Sequence, residues 1–544
     1  MALRLDTTRI NADAGAMPPP ASPEAAMEEM ALSPMVGRDS DAEVASLVPL
    51  AMTDSASGAR PLPSLATART LRDGVFLGAF AVHVLLALLV VSAVTNAQDD
   101  DSDAESSANA ALEERTPATT PAQLSPESAG VALRSLCAVN ALFAVGWLLL
   151  FAFSAKTRFL HASRVFSSAG LLVLALVLLT TDGARVFGVF AALALVADVA
   201  WMVETKSGLD FVAVLFELVA DFALRHPSLA LVTAGVLAVY TLWASWLCST
   251  LALVAGSDVS PWSASLLFLY VHFYWTSNVL KNVLTVVVSG TTIIWYYRDD
   301  SSELSPGLEL ETVSDHERRV VGHFLKSALS SSLGSVCVGS LLCPLAHVIW
   351  NVVRWARRDE SVLSRRLWFA AALRSERVEY FIRSYHKYSF VHIAGYGKAF
   401  YVAAHDAWQL IESRGVEAIV DDDPTSRLLL LGANGWASVM CVLCLSAFAD
   451  SGHVVYFGLV SFVLCYTTLS LATNAVAAVI KTLFVCFAEH PSRLSQLNPL
   501  IYHRFVRLSE LKSFRDHKAP SASGSDSDST SSSFSRGSAS RAIA

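Results

Sequence analysis

Charge is scarce in this chain of 544 residues: Asp, Glu, Lys and Arg make up 16% of it, where soluble domains carry roughly 25%. A soluble surface of that size needs more charge to stay wet, so an ordinary soluble enzyme is excluded. Net basicity is missing too, since a formal charge of −8 leaves no electrostatic footprint for nucleic acid. The eight cysteines, at positions 137, 248, 337, 343, 441, 444, 465 and 486, all lie in apolar stretches and none has zinc-finger spacing with histidines. Neither a secreted disulfide scaffold nor a metal site is expected. Cys441 and Cys444 form C-x-x-C inside a hydrophobic run, where two small residues on one helix face belong to a core. P-loop, nucleophile elbow, H-E-x-x-H and kinase signatures are all absent, so the chain is not read as an enzyme and calls for no cofactor.

What is present is apolar length. Hydrophobic residues reach 53%, gathered into nine strong runs: 74–96, 132–153, 165–182, 186–203, 228–255, 264–294, 321–352, 427–449 and 454–485. About 20 mostly apolar residues cross a bilayer as a helix, and continuous runs exclude the alternation of a barrel strand. The fold class is therefore all-α, a polytopic transmembrane bundle over residues 74–510 with the lipid bilayer as its solvent. Residues 1–68, rich in Ala, Pro, Ser and acids, and the Ser-rich stretch 513–544 bury too little to offset chain entropy and read as disordered tails.

Charge gives a topology. Arg69 and Arg72 precede the first run, and 97–130 after it holds eight acids and one Arg. That places the N-terminus in the cytoplasm and 97–130 outside. Arg493, Arg504, Arg507 and Lys512 put the C-terminus on the cytoplasmic side as well. Two cytoplasmic ends need an even count, so nine strong runs take a tenth from 207–225 or 386–411. If 207–225 crosses, the Arg-rich stretch 353–377 faces inward, as the charge rule prefers. If 386–411 crosses, 353–377 and the acidic 298–319 exchange sides.

Several intramembrane groups are candidates for function. Tyr270, Tyr274, Asn278, Asn282 and Thr285 share one face of the run from Phe268 to Asp300, with Lys281 at its edge. Aromatic faces attract a quaternary ammonium by about 2 kcal/mol when desolvated, and amides can hold a hydroxyl. Such residues equally serve as packing or interfacial belts. In 207–225, Asp210, Glu217 and Asp221 return to one helical face, which either lines a cavity or lies wet at the membrane surface. Asp198 is a further intramembrane acid with the same two readings. In 386–411, Gly395 and Gly397 break a helix beside Lys398 and Asp406, which become candidates for gating or ion coupling. Gly334, Ser335 and Gly339 let another helix approach closely.

Four segments also occur in a recognisable order: FYWTSNVLKNVLTVVVSGTTIIWYY (273–297), LGSVCVGSLL (333–342), YSFVHIAGYGKAFYVAAHDAWQLI (388–411) and VCFAEHP…NPLIYHRF (485–505). Together they resemble the choline transporter-like family, solute carrier family 44, nearest its fungal pH-nine-sensitive branch. The resemblance implies a ten-span plasma-membrane transporter with cytoplasmic ends, whose partner is choline or a similar small organic cation. It adds Trp275 and Trp295 to the candidate substrate face, on the family's aromatic-Asn-small-W-Y pattern. It also favours 386–411 as the tenth span, against the charge rule. His490 departs from the acid usual at that place, and no N-x-S/T site is present. A different solute, or a structural or stress-response role, stands as the alternative.

Overall fold

The computed structural model describes residues 70–112, 126–205, 209–255, 263–298, 309–358, 376–414, 416, 424–449 and 454–507. Both expected tails, residues 113–125 of the 97–130 loop and most of the Arg-rich stretch (359–375) lie outside these. Every described element is helical. In chain order they are α1 (Gly74–Leu112), α2 (Pro126–Phe153), α3 (Lys156–Thr180), α4 (Arg185–Glu204), α5 (Leu209–Arg225), α6 (Pro227–Ala255), α7 (Ala264–Tyr297) and α8 (Glu309–Leu329). There follow α9 (Leu333–Arg358), α10 (Glu376–Ser384), α11 (Ser389–Tyr396), α12 (Phe400–Ser413), α13 (Thr425–Ala447), α14 (Val454–Glu489) and α15 (Pro491–Leu497). Nine helices among the described residues are long and apolar enough to cross a bilayer: α1 to α4, α6, α7, α9, α13 and α14. The chain is an all-α polytopic membrane protein.

Two elements depart from the hydropathy reading. The run 321–352 is not one helix, because α8 ends at Leu329 and α9 begins at Leu333. The interruption falls on three consecutive serines, whose hydroxyls compete with backbone donors for local carbonyls. Ser330 Oγ donates to the Lys326 carbonyl at 2.6 Å and Ser331 Oγ to that of Ser327 at 3.4 Å. Also, α1 carries the chain to Leu112 as helix, well into the stretch expected to be an acidic loop.

Helix direction follows from contacts. α1 runs antiparallel to α7, since Phe80 meets Trp275 (5.1 Å between rings) and His83 meets His272 (5.2 Å). α14 runs parallel to α7: Lys281 pairs with Ser470, Thr285 with Asn474 and Tyr297 with Glu489. The start of α1 and the end of α14 therefore share one end of the bundle, here the terminal end. α4 returns antiparallel along α3, with Asp198 against Ser167 and Met202 against Arg164. α6 is antiparallel to α7, since Trp243 meets His272 while Leu247 clusters with Leu266 and Leu269.

These directions exclude one of the two doubtful segments as a span. α4 finishes and α6 begins at the terminal end, so α5 connects two helix ends on one side and does not cross. Its apolar face covers Phe151, Trp295 and Phe505 through Phe216, Phe222 and Phe211, while Asp210, Glu217 and Asp221 are exposed. The option preferred by the charge rule is thus overturned: the acids of 207–225 sit on the wet side of an amphipathic helix, whose burial is satisfied by helix ends rather than by lipid. The stretch 386–411 is no straight span either. It resolves as α11 and α12, about 12 and 21 Å long at 1.5 Å per residue. They fold back on each other through His386 with the Ala404 carbonyl (2.9 Å), Phe390 with Phe400 (5.9 Å) and His386 with Trp408 (5.6 Å). Gly397 makes the break: at φ 62 it adopts the left-handed region open to glycine, and its N–H returns to the Ile393 carbonyl to close α11.

Elsewhere the bundle packs on small residues. α13 lies between α3 and α14, and a Cβ at Gly170 would stand 2.9 Å from the Gly435 carbonyl oxygen. Such backbone approach supplies the dispersion contacts that replace the hydrophobic effect between helices in lipid.

Candidate functional site

α7, α9 and α14 meet in a polar seam. Trp275 is buried, and its Nε1 donates to the Cys337 carbonyl at 3.0 Å. Tyr274 OH donates to the Leu341 carbonyl at 2.9 Å. Ser340 Oγ donates to the Asn278 carbonyl (3.1 Å) and accepts from Asn282 Nδ2 (3.0 Å). At the edge of the same face of α7, Lys281 Nζ donates to Ser470 Oγ at 2.7 Å. Asn474 Nδ2 donates to the Lys281 carbonyl and to Thr285 Oγ1. Unpartnered amides and ammonium groups are expensive in lipid, and these pairings are what let a polar helix sit at the centre of the bundle.

The hairpin α11–α12 docks on this seam at Gly339, where a Cβ would come within 2.5 Å of the Phe400 ring and 2.6 Å of Phe390. Two carboxylates hold its tip. Asp73, one residue before α1, accepts from Ser335 Oγ at 2.6 Å and from the Phe400 N–H at 2.9 Å. It thereby caps α12 and ties it to the start of α9. Asp73 is itself left-handed, at φ 50, and the carbonyls of Arg72 and Asp73 lie so close to Gly334 that no side chain fits there. At the end of α14, Glu489 accepts from Tyr297 OH and Tyr396 OH, each at 3.0 Å, with His392 Nε2 3.8 Å away. Across the break itself, Lys398 Nζ donates to Asp406 at 2.5 Å.

Between α9, the connector Tyr385–Tyr388 and α12 lies a cavity of about 80 Å3. Its walls are mostly rings, from His347, Trp350, Tyr385, His386, Tyr388 and Trp408, with Lys387 among them. Four of these rings, Trp350, Tyr385, Tyr388 and Trp408, are of the types whose faces attract cations.

The structure thus brings Tyr274, Trp275, Asn278 and Asn282 together with Gly334, Ser335 and Gly339, and joins Lys398 to Asp406. It leaves the other candidates elsewhere. Tyr270 is exposed near the start of α7, and Trp295 stands at the far end of that helix against Phe222 (4.9 Å). Asp198 is buried between α3 and α4, accepting from Ser167 Oγ at 3.1 Å. Glu217 and Asp221 are on the exposed face of α5, Asp221 3.7 Å from Arg225. Sequence reasoning passed over Asp73, Glu489, Lys387 and the rings of the cavity. Glu489 stands in the quoted A-E-H-P segment, and Asp73 follows an Arg weighed only as a topology signal.

Comparison with known proteins adds three findings. A family model described as plasma-membrane choline transporter matches residues 186–492. Protein PNS1 of Neurospora crassa is 24% identical over 69% of this chain and 69% of its own length, and protein PNS1 of Yarrowia lipolytica 24% identical over 59% of each. A CTL-like protein of Dictyostelium discoideum is 22% identical over 67% of this chain and 64% of its own length. The second and third alignments cover less than two thirds of those relatives.

Proposed function

The chain belongs to the plasma-membrane choline transporter family, and from that premise we propose that it moves choline or a similar small organic cation across the plasma membrane by alternating access. The observation that carries the reading is the ring-lined cavity beside an interrupted helix. Rings attract a quaternary ammonium that can make no hydrogen bonds. Broken helices are the usual moving parts around a transport site, because their free backbone groups are tolerated only inside protein or against a cavity. Tyr274, Trp275, Asn278 and Asn282 support the hairpin from behind, and the Lys398–Asp406 and Asp73 contacts are the latches that change between states. The terminal end is the cytoplasmic one, given Arg69 and Arg72 ahead of α1. An inside-negative potential favours entry of one positive charge by about 2.3 kcal/mol per 100 mV, so nucleotide hydrolysis is not required.

Radiolabelled choline uptake into cells lacking their own choline transport tests this. Uptake should rise with expression, and Trp275→Ala should lower it while the protein stays in the membrane. A proteoliposome screen of choline, ethanolamine and other small cations then names the substrate. Uptake indifferent to expression, together with no flux in that screen, would leave a non-transport role in its place.

A further inference from the structure

One residue in the cavity carries a charge of its own. Lys387 sits in the connector between α10 and α11, and its Nζ lies 5.5 Å from the centre of the Tyr388 ring, inside the range of about 6 Å over which ring faces attract cations. Tyr388 is buried. An ammonium is strongly hydrated and gains less from ring faces than a quaternary cation does, but its flexible four-carbon stem lets it enter and leave such a space.

Resting on the cation-transport reading above, we infer that the cavity is a quaternary-ammonium site in which Lys387 is the resident cation. Its tethered ammonium covers the Tyr388 ring face while no substrate is present, and it withdraws when a free quaternary cation takes that face. Lys387 is then a specificity-determining residue. A ligand must outcompete an ammonium that is always at hand, so primary amines, with the same chemistry as Lys387, gain little. Cations carrying methyl groups in place of N–H gain most.

The test is a calorimetric titration of the purified full-length protein with tetramethylammonium and with choline. Lys387→Met keeps most of the stem and removes the charge, and it should tighten both affinities about three- to tenfold. Lys387→Arg, still cationic, should not tighten them, and adding Trp408→Leu to Lys387→Met should reverse the gain. Thermal unfolding verifies that each variant is folded, with Lys387→Gln replacing Met if Met is not tolerated. Unchanged or weaker binding by the neutral variant, or no tetramethylammonium binding by either protein, overturns the inference. The outcomes separate cleanly: absent choline uptake in cells strikes at transport, whereas a failed titration strikes at Lys387 and leaves transport standing.

Discussion

Among the nine long helices, α1 is the most apolar, with mean hydropathy 2.6, and the least enclosed, with 11% of its membrane window buried. α7 is the least apolar, at 1.4, and the most enclosed, at 72%. The order is the reverse of that in a soluble protein, where the apolar helix goes inside. Lipid is as good a solvent for Leu and Val as a protein core, so nothing drives α1 inward. Thr, Ser, Asn and Lys side chains have no partners in lipid, and α7 must be surrounded by α9, α11 and α14 to satisfy them. Burial in this bundle therefore points to polar function, and exposure to solvation by lipid.

Substitution can break that contrast, most severely where the enclosed region is tightest. Gly339→Leu places a side chain against the Phe390 and Phe400 rings and should displace the hairpin. Uptake is expected to fall more than tenfold, with a lowered melting temperature in detergent. Gly235→Leu on α6 adds its side chain where nothing lies within 4 Å and should change neither. If the two variants behave alike, the contrast between regions is wrong.

Trp275→Ala comes next, with a loss of about 3–5 kcal/mol for a buried aromatic, measured as denaturant-dependent loss of the folded dimension in size exclusion. Asp73→Ala strands the Ser335 hydroxyl and the Phe400 N–H at a cost of about 1–3 kcal/mol. Hydrogen exchange at residues 397–401 should speed up in that variant, and Asp73→Asn should restore part of the protection. Asp221→Asn on the exposed face of α5 marks the other extreme. Its ion pair with Arg225 is an open i,i+4 contact, so stability should move by less than about 0.5 kcal/mol.

Most of the membrane architecture was legible in the sequence, because long apolar runs are a local signal. The failures are instructive for the same reason. α5 and the hairpin both read as doubtful spans, since hydropathy with a few charges does not say what covers a face. What covers α5 is Phe151, Trp295 and Phe505, and what turns 386–411 back is the fit of Phe390 and Phe400 onto Gly339. Those partners lie tens to hundreds of residues away. The small residues 334, 335 and 339 read as a packing stripe. Their partners, the Asp73 backbone and the hairpin, are visible only in three dimensions. Asp73 itself resembles any acid ahead of a span until its two bonds are seen.

The length of the parallel pair α7 and α14 has a mechanical meaning. At 1.5 Å per residue, their 34 and 36 residues extend about 51 and 54 Å, against roughly 30 Å of hydrocarbon. The pair is thus about 20 Å longer than that thickness, and its terminal end is braced by Tyr297, Glu489 and Tyr396. A tilt of about 10° within the bilayer moves the tip of a 20 Å arm by roughly 3.5 Å, about one rotamer's reach. Whatever grips that end can feel, or impose, the position of the helices around the cavity.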